Sequence, residues 1–181
     1  LDTLEAFALL RGLTDQADTC SLVMVGDGPL FPVVQARARQ LGLEQFVQFP
    51  GVLSPDAVAQ EMRRARVFVQ HSRTAEDGDE EGCPVSVMEA QLCGLPVVAT
   101  RHGGIPDVVV DQQTGRLVEE GDRRAMAEAM ALLVDQPDLA AAWGTAGQLR
   151  AQARFTVAHH VDQITMLLND LVDNRRSAAK A

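Results

Sequence analysis

Positive charge is what this sequence is short of. Its 181 residues carry 16 Lys and Arg against 25 Asp and Glu, for a net charge of −9, which argues against nucleic acid or an anionic membrane as a partner held by broad electrostatic attraction. Cysteine is also scarce. Cys20, Cys83 and Cys93 form no C-x-x-C pair, so neither a disulfide framework nor a zinc site is indicated, and reduced thiols of an intracellular, cytoplasmic protein are expected. No apolar run approaches the roughly 20 residues of a membrane span, and no signal-peptide pattern is present. The chain has no G-x-G-x-x-G; Gly26-Asp27-Gly28 is the nearest approach, so a dinucleotide fingerprint is not supported. No Ser-His-Asp arrangement can be argued either. What remains is 46% hydrophobic and 23% charged, an ordinary composition for one soluble domain with a real core. That domain is expected over residues 1–173, with a frayed tail over 174–181.

Strands alternate with helices along the chain. Leu1, Leu4, Phe7 and Ala8 recur at helical spacing and predict a helix over 1–13. Apolar runs predict strands over 21–25, 46–49, 67–70, 96–100 and 116–118. Helices are expected over 30–42, 54–65 (capped by Ser54 with Pro55 next), 84–93, 105–110, 122–135, 138–150 and 156–172. Met166, Leu167, Leu168 and Leu171 read as core or domain contact. The alternation defines an α/β protein with a mainly parallel sheet flanked by helices, in which ligands bind beyond the carboxyl ends of the strands. The Gly-containing turns at 26–28, 51, 71–84 and 102–104 all follow a strand and are expected to share one site.

One stretch organises the rest: Glu81-Gly82-Cys83-Pro84-Val85-Ser86-Val87-Met88-Glu89. Pro84 suits a first helical turn, where its missing N–H would be unpaired anyway. Glu89 then lies inside the helix and Glu81 in the loop before it. Both can face a helix N-terminus, where free N–H groups and the dipole favour an anion. A phosphate held there, with a carboxylate on either side for hydroxyl groups, describes a nucleotide-sugar site.

Glu81-x7-Glu89, Gly94-Leu95-Pro96-Val97-Val98-Ala99-Thr100 and Gly103-Gly104-Ile105-Pro106-Asp107 together resemble the C-terminal domain of GT-B glycosyltransferases of family 4. The turns GDGP (26–29) and FPG (49–51) and the run TGRLV (114–118) stand in family order. The loop HSRTAEDGDEEGCP (71–84) is similar to that of enzymes building bacterial exopolysaccharides such as colanic acid or amylovoran. The resemblance implies a Rossmann-like donor-binding domain of a retaining enzyme that requires no metal or other cofactor. Glu89 would accept hydrogen bonds from the ribose of a UDP- or GDP-sugar, and Glu81 would contact the donor sugar as the catalytic-site carboxylate. The backbone around Cys83, Pro84, Val85 and Ser86 would face sugar and diphosphate. Gly51, Val52 and Leu53 would hold the base. The acceptor, a glycan or lipid-linked glycan, would bind an N-terminal domain that this sequence does not contain, and any peripheral contact with the inner membrane would be made by that domain.

Departures from the family pattern are Asp107 where Glu is usual and Pro84 where many members have Gly. The family's first, central strand and its Gly-rich basic turn would precede Leu1, so the sequence reads as a fragment, expected to be unstable and inactive alone. Two alternatives keep the same site without glycosyl transfer to an acceptor: a nucleotide-sugar-binding module, and a hydrolase or epimerase of the same fold. Asp77-Gly78-Asp79 also matches the D-x-D triplet that binds a divalent cation in GT-A transferases, but it reads more simply as a solvated acidic loop. His71 and His102 each follow a strand and can serve either packing or the site.

Overall fold

The computed structural model describes residues 1–178. Five strands, β1 (Leu22–Val25), β2 (Val47–Gly51), β3 (Phe68–Gln70), β4 (Val97–Thr100) and β5 (Gly115–Val118), alternate with eight helices. The helices are α1 (Asp2–Leu10), α2 (Phe31–Gln40), α3 (Pro55–Arg64), α4 (Val85–Leu92), α5 (Ile105–Val108), α6 (Arg123–Asp135), α7 (Pro137–Arg154) and α8 (Val157–Ala178). All strand pairs are parallel. This is the expected α/β architecture, with element ends displaced by a few residues. Helix α8 continues past residue 173, where the sequence suggested that the tail begins, and residues 179–181 lie outside the described residues.

The sheet is divided. Strands β1 and β2 form one ladder, and β3, β4 and β5 form another in that order. Between β1 and β3 runs a cleft of about 900 Å³, lined by residues of both strands, including Leu22, Met24, Phe68 and Gln70. The resemblance expects a further, central strand at this place in the order.

Strand β4 shows why the layers form. Every residue is buried; Val98 packs into one apolar cluster, with Leu4, Phe7, Met126 and Met130, while Val97 and Ala99 pack into another, with Val87, Ile105 and Leu117. Alternation along a strand sends neighbours to opposite faces, so helices cover both. Helix α1 is also tied by charge: Asp2 pairs with Arg123 at 2.6 Å, Glu5 with Arg37 at 3.0 Å and again with Arg123. Burial pushes the Asp2 carboxyl up, but the hydrogen bond from Arg123 and the nearby His71 and Arg123 charges outweigh it and leave it below its ordinary range.

Three local features differ from the sequence reading. Strand β2 does not stop at Phe49. It carries Pro50 through to Gly51, because the register slips there: Val23 faces Gln48, and Val25 faces Gly51. The bulge spares Pro50 from donating to the ladder. Pro84 sits at the N-cap of α4 with extended backbone (ψ 122°), one position outside the helix, and its carbonyl accepts the first helical bond, from Val87 N–H. The α8 residues Met166, Leu167, Leu168 and Leu171 are exposed rather than core.

Candidate functional site

The turns after the strands fall into two groups, one on each ladder. The Gly26 N–H donates to the Gly51 carbonyl at 2.8 Å, joining the ends of β1 and β2. Gly51 has φ +73°, which favours glycine; Val52 beyond it is exposed and Leu53 is half-buried. The second group lies at the ends of β3 and β4. Gly104 N–H donates to the Gly82 carbonyl, and a Cβ on Gly103 would strike the Glu81 and Gly82 carbonyls. The Gly-Gly turn is therefore the seat of the loop that carries Glu81. Cys83 is half-buried beside it; burial raises its thiol pKa, and the Glu81 and Asp107 carboxylates add to the effect. Such a thiol stays protonated near neutrality, which fits a packing role.

Helix α4 begins immediately after this loop. Pro84 supplies no capping side chain, and among the described residues the N–H groups of Val85 and Ser86 have no partner. Unpartnered N–H groups at a helix start attract an anion. Ser86 also lines the cleft between β1 and β3. Glu89, the fifth residue of α4, stands about 6 Å along the helix axis from its start. Its side chain is exposed and, among the described residues, makes no hydrogen bond or ion pair. Glu81 is exposed too, with one long contact, from Ser72 Oγ at 3.5 Å. Loop carboxylate, helix start and helix carboxylate thus follow one another within residues 81–89. The turn 51–53 belongs to the other ladder, across the cleft, and no hydrogen bond joins it to residues 81–89 among the described residues.

Both strand-end histidines have buried side chains. His71 Nε2 accepts from Gly121 N–H at 3.1 Å, and its Nδ1 faces Asp2 Oδ2 at 3.9 Å. Burial lowers the His71 pKa, although Asp2 pulls the other way. His102 Nδ1 meets Glu120 Oε1 at 2.6 Å. Glu120 did not stand out in the sequence; its only signal is an acidic residue just past the end of β5. No group of three or more metal-ligating side chains occurs among the described residues. Asp79 N–H folds back onto Asp77 Oδ1 at 3.2 Å, so Asp77 closes a local turn. No helix among the described residues is long and apolar enough to cross a membrane.

Parallel strands flanked by helices, with Gly-rich turns at the strand ends, define a Rossmann-like α/β domain. The profile of the family "Glycosyl transferases group 1" matches residues 2–150, and the chain belongs to that family. It is 38% identical over 126 residues to the putative colanic acid biosynthesis glycosyltransferase WcaL of Escherichia coli K12, covering 70% of this chain and 31% of that protein. It is 34% identical over 122 residues to the amylovoran biosynthesis glycosyltransferase AmsK of Erwinia amylovora, covering 67% and 30%. Over 144 residues it is 37% identical to a GDP-mannose-dependent phosphatidylinositol monomannoside mannosyltransferase of Mycolicibacterium smegmatis, covering 77% and 38%. The crystal structure of Anabaena HepE in complex with UDP-glucose superposes with a TM-score of 0.76 at 26% identity, over 93% of this chain and 44% of that one. The chain thus spans about a third of the length of these curated relatives.

Proposed function

We propose that this chain is the donor-binding half of a retaining glycosyltransferase that moves a sugar from a nucleotide diphosphate sugar to a growing glycan in exopolysaccharide biosynthesis. The observation that carries the reading is the open start of α4, with Glu81 in the loop before it and the unpartnered Glu89 one and a half turns in. The diphosphate lies at the helix start, the ribose hydroxyls donate to Glu89 and the sugar hydroxyls to Glu81. A carboxylate suits a vicinal diol because its two oxygens accept two O–H bonds. The chain's own work is positioning and charge complementarity, without a metal. Gly51, Val52 and Leu53 hold the base from across the cleft. HepE binds UDP-glucose and the mycolicibacterial relative depends on GDP-mannose, so the donor is a UDP- or GDP-sugar. Kinship to WcaL and AmsK supports a bacterial polysaccharide as the product. The protein works at the cytoplasmic side, with the acceptor held by a separate domain.

Calorimetric titration with UDP and GDP tests this. A hydrogen bond to a charged group contributes about 1.5–3 kcal/mol, so Glu89→Ala should weaken nucleotide binding about tenfold to a hundredfold; unchanged affinity would sink the ribose assignment. Glu81→Ala should spare the bare nucleotide and lower sugar transfer. Equal losses in both would remove Glu81 from the sugar.

A further inference from the structure

We propose that Glu120 is a positioning residue for the donor site: its carboxylate ties His102, on the turn after β4, to the backbone of Thr74 at the root of the acidic loop, and so fixes where Glu81 stands. The proposal rests on the donor-site reading above and adds a residue outside the motifs that carry the resemblance.

Glu120 lies on an exposed turn just after β5, yet both its oxygens are committed inward. Oε1 accepts from His102 Nδ1 at 2.6 Å and Oε2 from Thr74 N–H at 3.0 Å. These two bonds hold its carboxyl below the ordinary carboxylate range. His102 is 3% exposed, so one end of the tie is anchored in the core. The other end continues outward. Thr74 Oγ1 donates to Glu80 Oε1 at 3.0 Å, and Glu80 is the residue before Glu81. A connected path of hydrogen bonds thus runs from the core through Glu120 and Thr74 to the neighbour of the donor-site carboxylate. The next residue of the same turn adds a second hold, Gly121 N–H on His71 Nε2 at the end of β3.

The arrangement gathers two carboxylates, Glu80 and Glu120, on one threonine. Glu81 itself has only the long Ser72 contact. The loop is otherwise held at Ser72, whose N–H donates to Thr100 Oγ1 at 3.0 Å and whose carbonyl accepts from that hydroxyl at 2.6 Å, and at its far end by the Gly82–Gly104 backbone bond. Removing Glu120 frees the stretch between these two anchors.

The test uses the protein at its natural length, as wild type, Glu120→Ala, Glu120→Gln and Thr74→Val. It has two readouts: amide exchange over residues 72–83, and affinity for UDP, UDP-glucose, GDP and GDP-mannose. In Glu120→Ala, exchange over 72–83 should quicken at least about tenfold, bare nucleotide should bind within about twofold of wild type, and the nucleotide sugar should lose about tenfold more (about 1.4 kcal/mol). Glu120→Gln keeps one carbonyl oxygen for Thr74 N–H and should recover most of that loss. Thr74→Val, which leaves the backbone bond intact and frees only Glu80, should lose a smaller share in the same direction. It decides the matter if Glu120→Ala fails to fold. Unchanged exchange, or equal losses for nucleotide and nucleotide sugar, overturns the proposal. If wild type binds no nucleotide sugar at all, the donor-site reading fails, and the exchange readout still judges whether Glu120 holds the loop.

Discussion

His71 is the residue through which acid reaches the core. Its side chain is buried at the end of β3, its Nε2 accepts from Gly121 N–H, and Asp2, the Leu1 amino group, Arg73, Glu120 and Arg123 are the charged groups around it or on the elements beside it. Burial disfavours its charged form more than Asp2 restores it, so its folded pKa lies below 6.5. The unfolded chain therefore takes up this proton first as pH falls. The stability contributed by neutral His71 is present above the unfolded value and is lost as pH drops through it. One proton sets a slope of at most about 1.4 kcal/mol per pH unit. Asp2 and Glu120, both lowered, act only at more acidic pH, where their stabilisation is lost in turn. Thermal unfolding followed between about pH 7.5 and 5.5 should show a falling midpoint in the parent chain. His71→Gln, which can still accept from Gly121 N–H, should flatten that fall. An equal fall in both proteins would assign the acid sensitivity to other groups.

At the scale of elements, close backbone approach decides which helices meet. Helix α7 packs across α4 at Gly144, where a Cβ would strike the Gly94 carbonyl, and at Gly147, beside the buried Gln91. Gly94 itself ends α4 with φ +79°. A methyl group at Gly144 forces the helices apart, and overpacking of this kind costs about 1–3 kcal/mol. Gly144→Ala should therefore lower the unfolding midpoint, and because α4 carries Ser86 and Glu89 it should weaken nucleotide binding as well. Gly12→Ala, where a new Cβ meets nothing nearer than the Leu9 carbonyl at 3.6 Å, serves as the tolerant control. Equal stability in the two variants would show that the α4–α7 contact is looser than described. The sequence made some of these elements plain and hid others. Ser54 with Pro55 announced α3, and Ser54 Oγ does accept from Ala57 N–H at 3.3 Å. Glu81-x7-Glu89 and the Gly-Gly turn were legible because each is a local pattern. Glu120 was not, since its partners stand 18 and 46 residues away and no local rule brings an exposed glutamate back onto them. Pro50 within β2 ran against propensity, because only the bulge in the pairing with β1 makes it acceptable.

At the scale of the whole molecule, the divided sheet sets the pattern of stability. Strand β4 has neighbours on both sides and is wholly buried, whereas β1 and β3 each turn one edge toward the cleft. Unpaired edge N–H and C=O groups are open to water and to other chains. Helices α1 and α6 close one side of the cleft with Phe7, Leu10 and Met130, which pack on each other and on the strand side chains. Apolar lining of this kind is stabilised by what occupies the space, at roughly 25 cal/mol per Å² of apolar surface removed from water. In the 181-residue polypeptide, amides of β4 should therefore exchange slowest, and those of β1 and β3 that face the cleft should exchange with local opening. In a longer polypeptide whose added residues lay an extended apolar segment between them, protection at β1 and β3 should rise toward that of β4, and the unfolding midpoint should rise with it. Residue-resolved hydrogen exchange on both polypeptides measures the difference. Protection at β1 and β3 already equal to β4 in the shorter one would mean that the two ladders close on each other in solution, and the donor site would then stand on a continuous sheet.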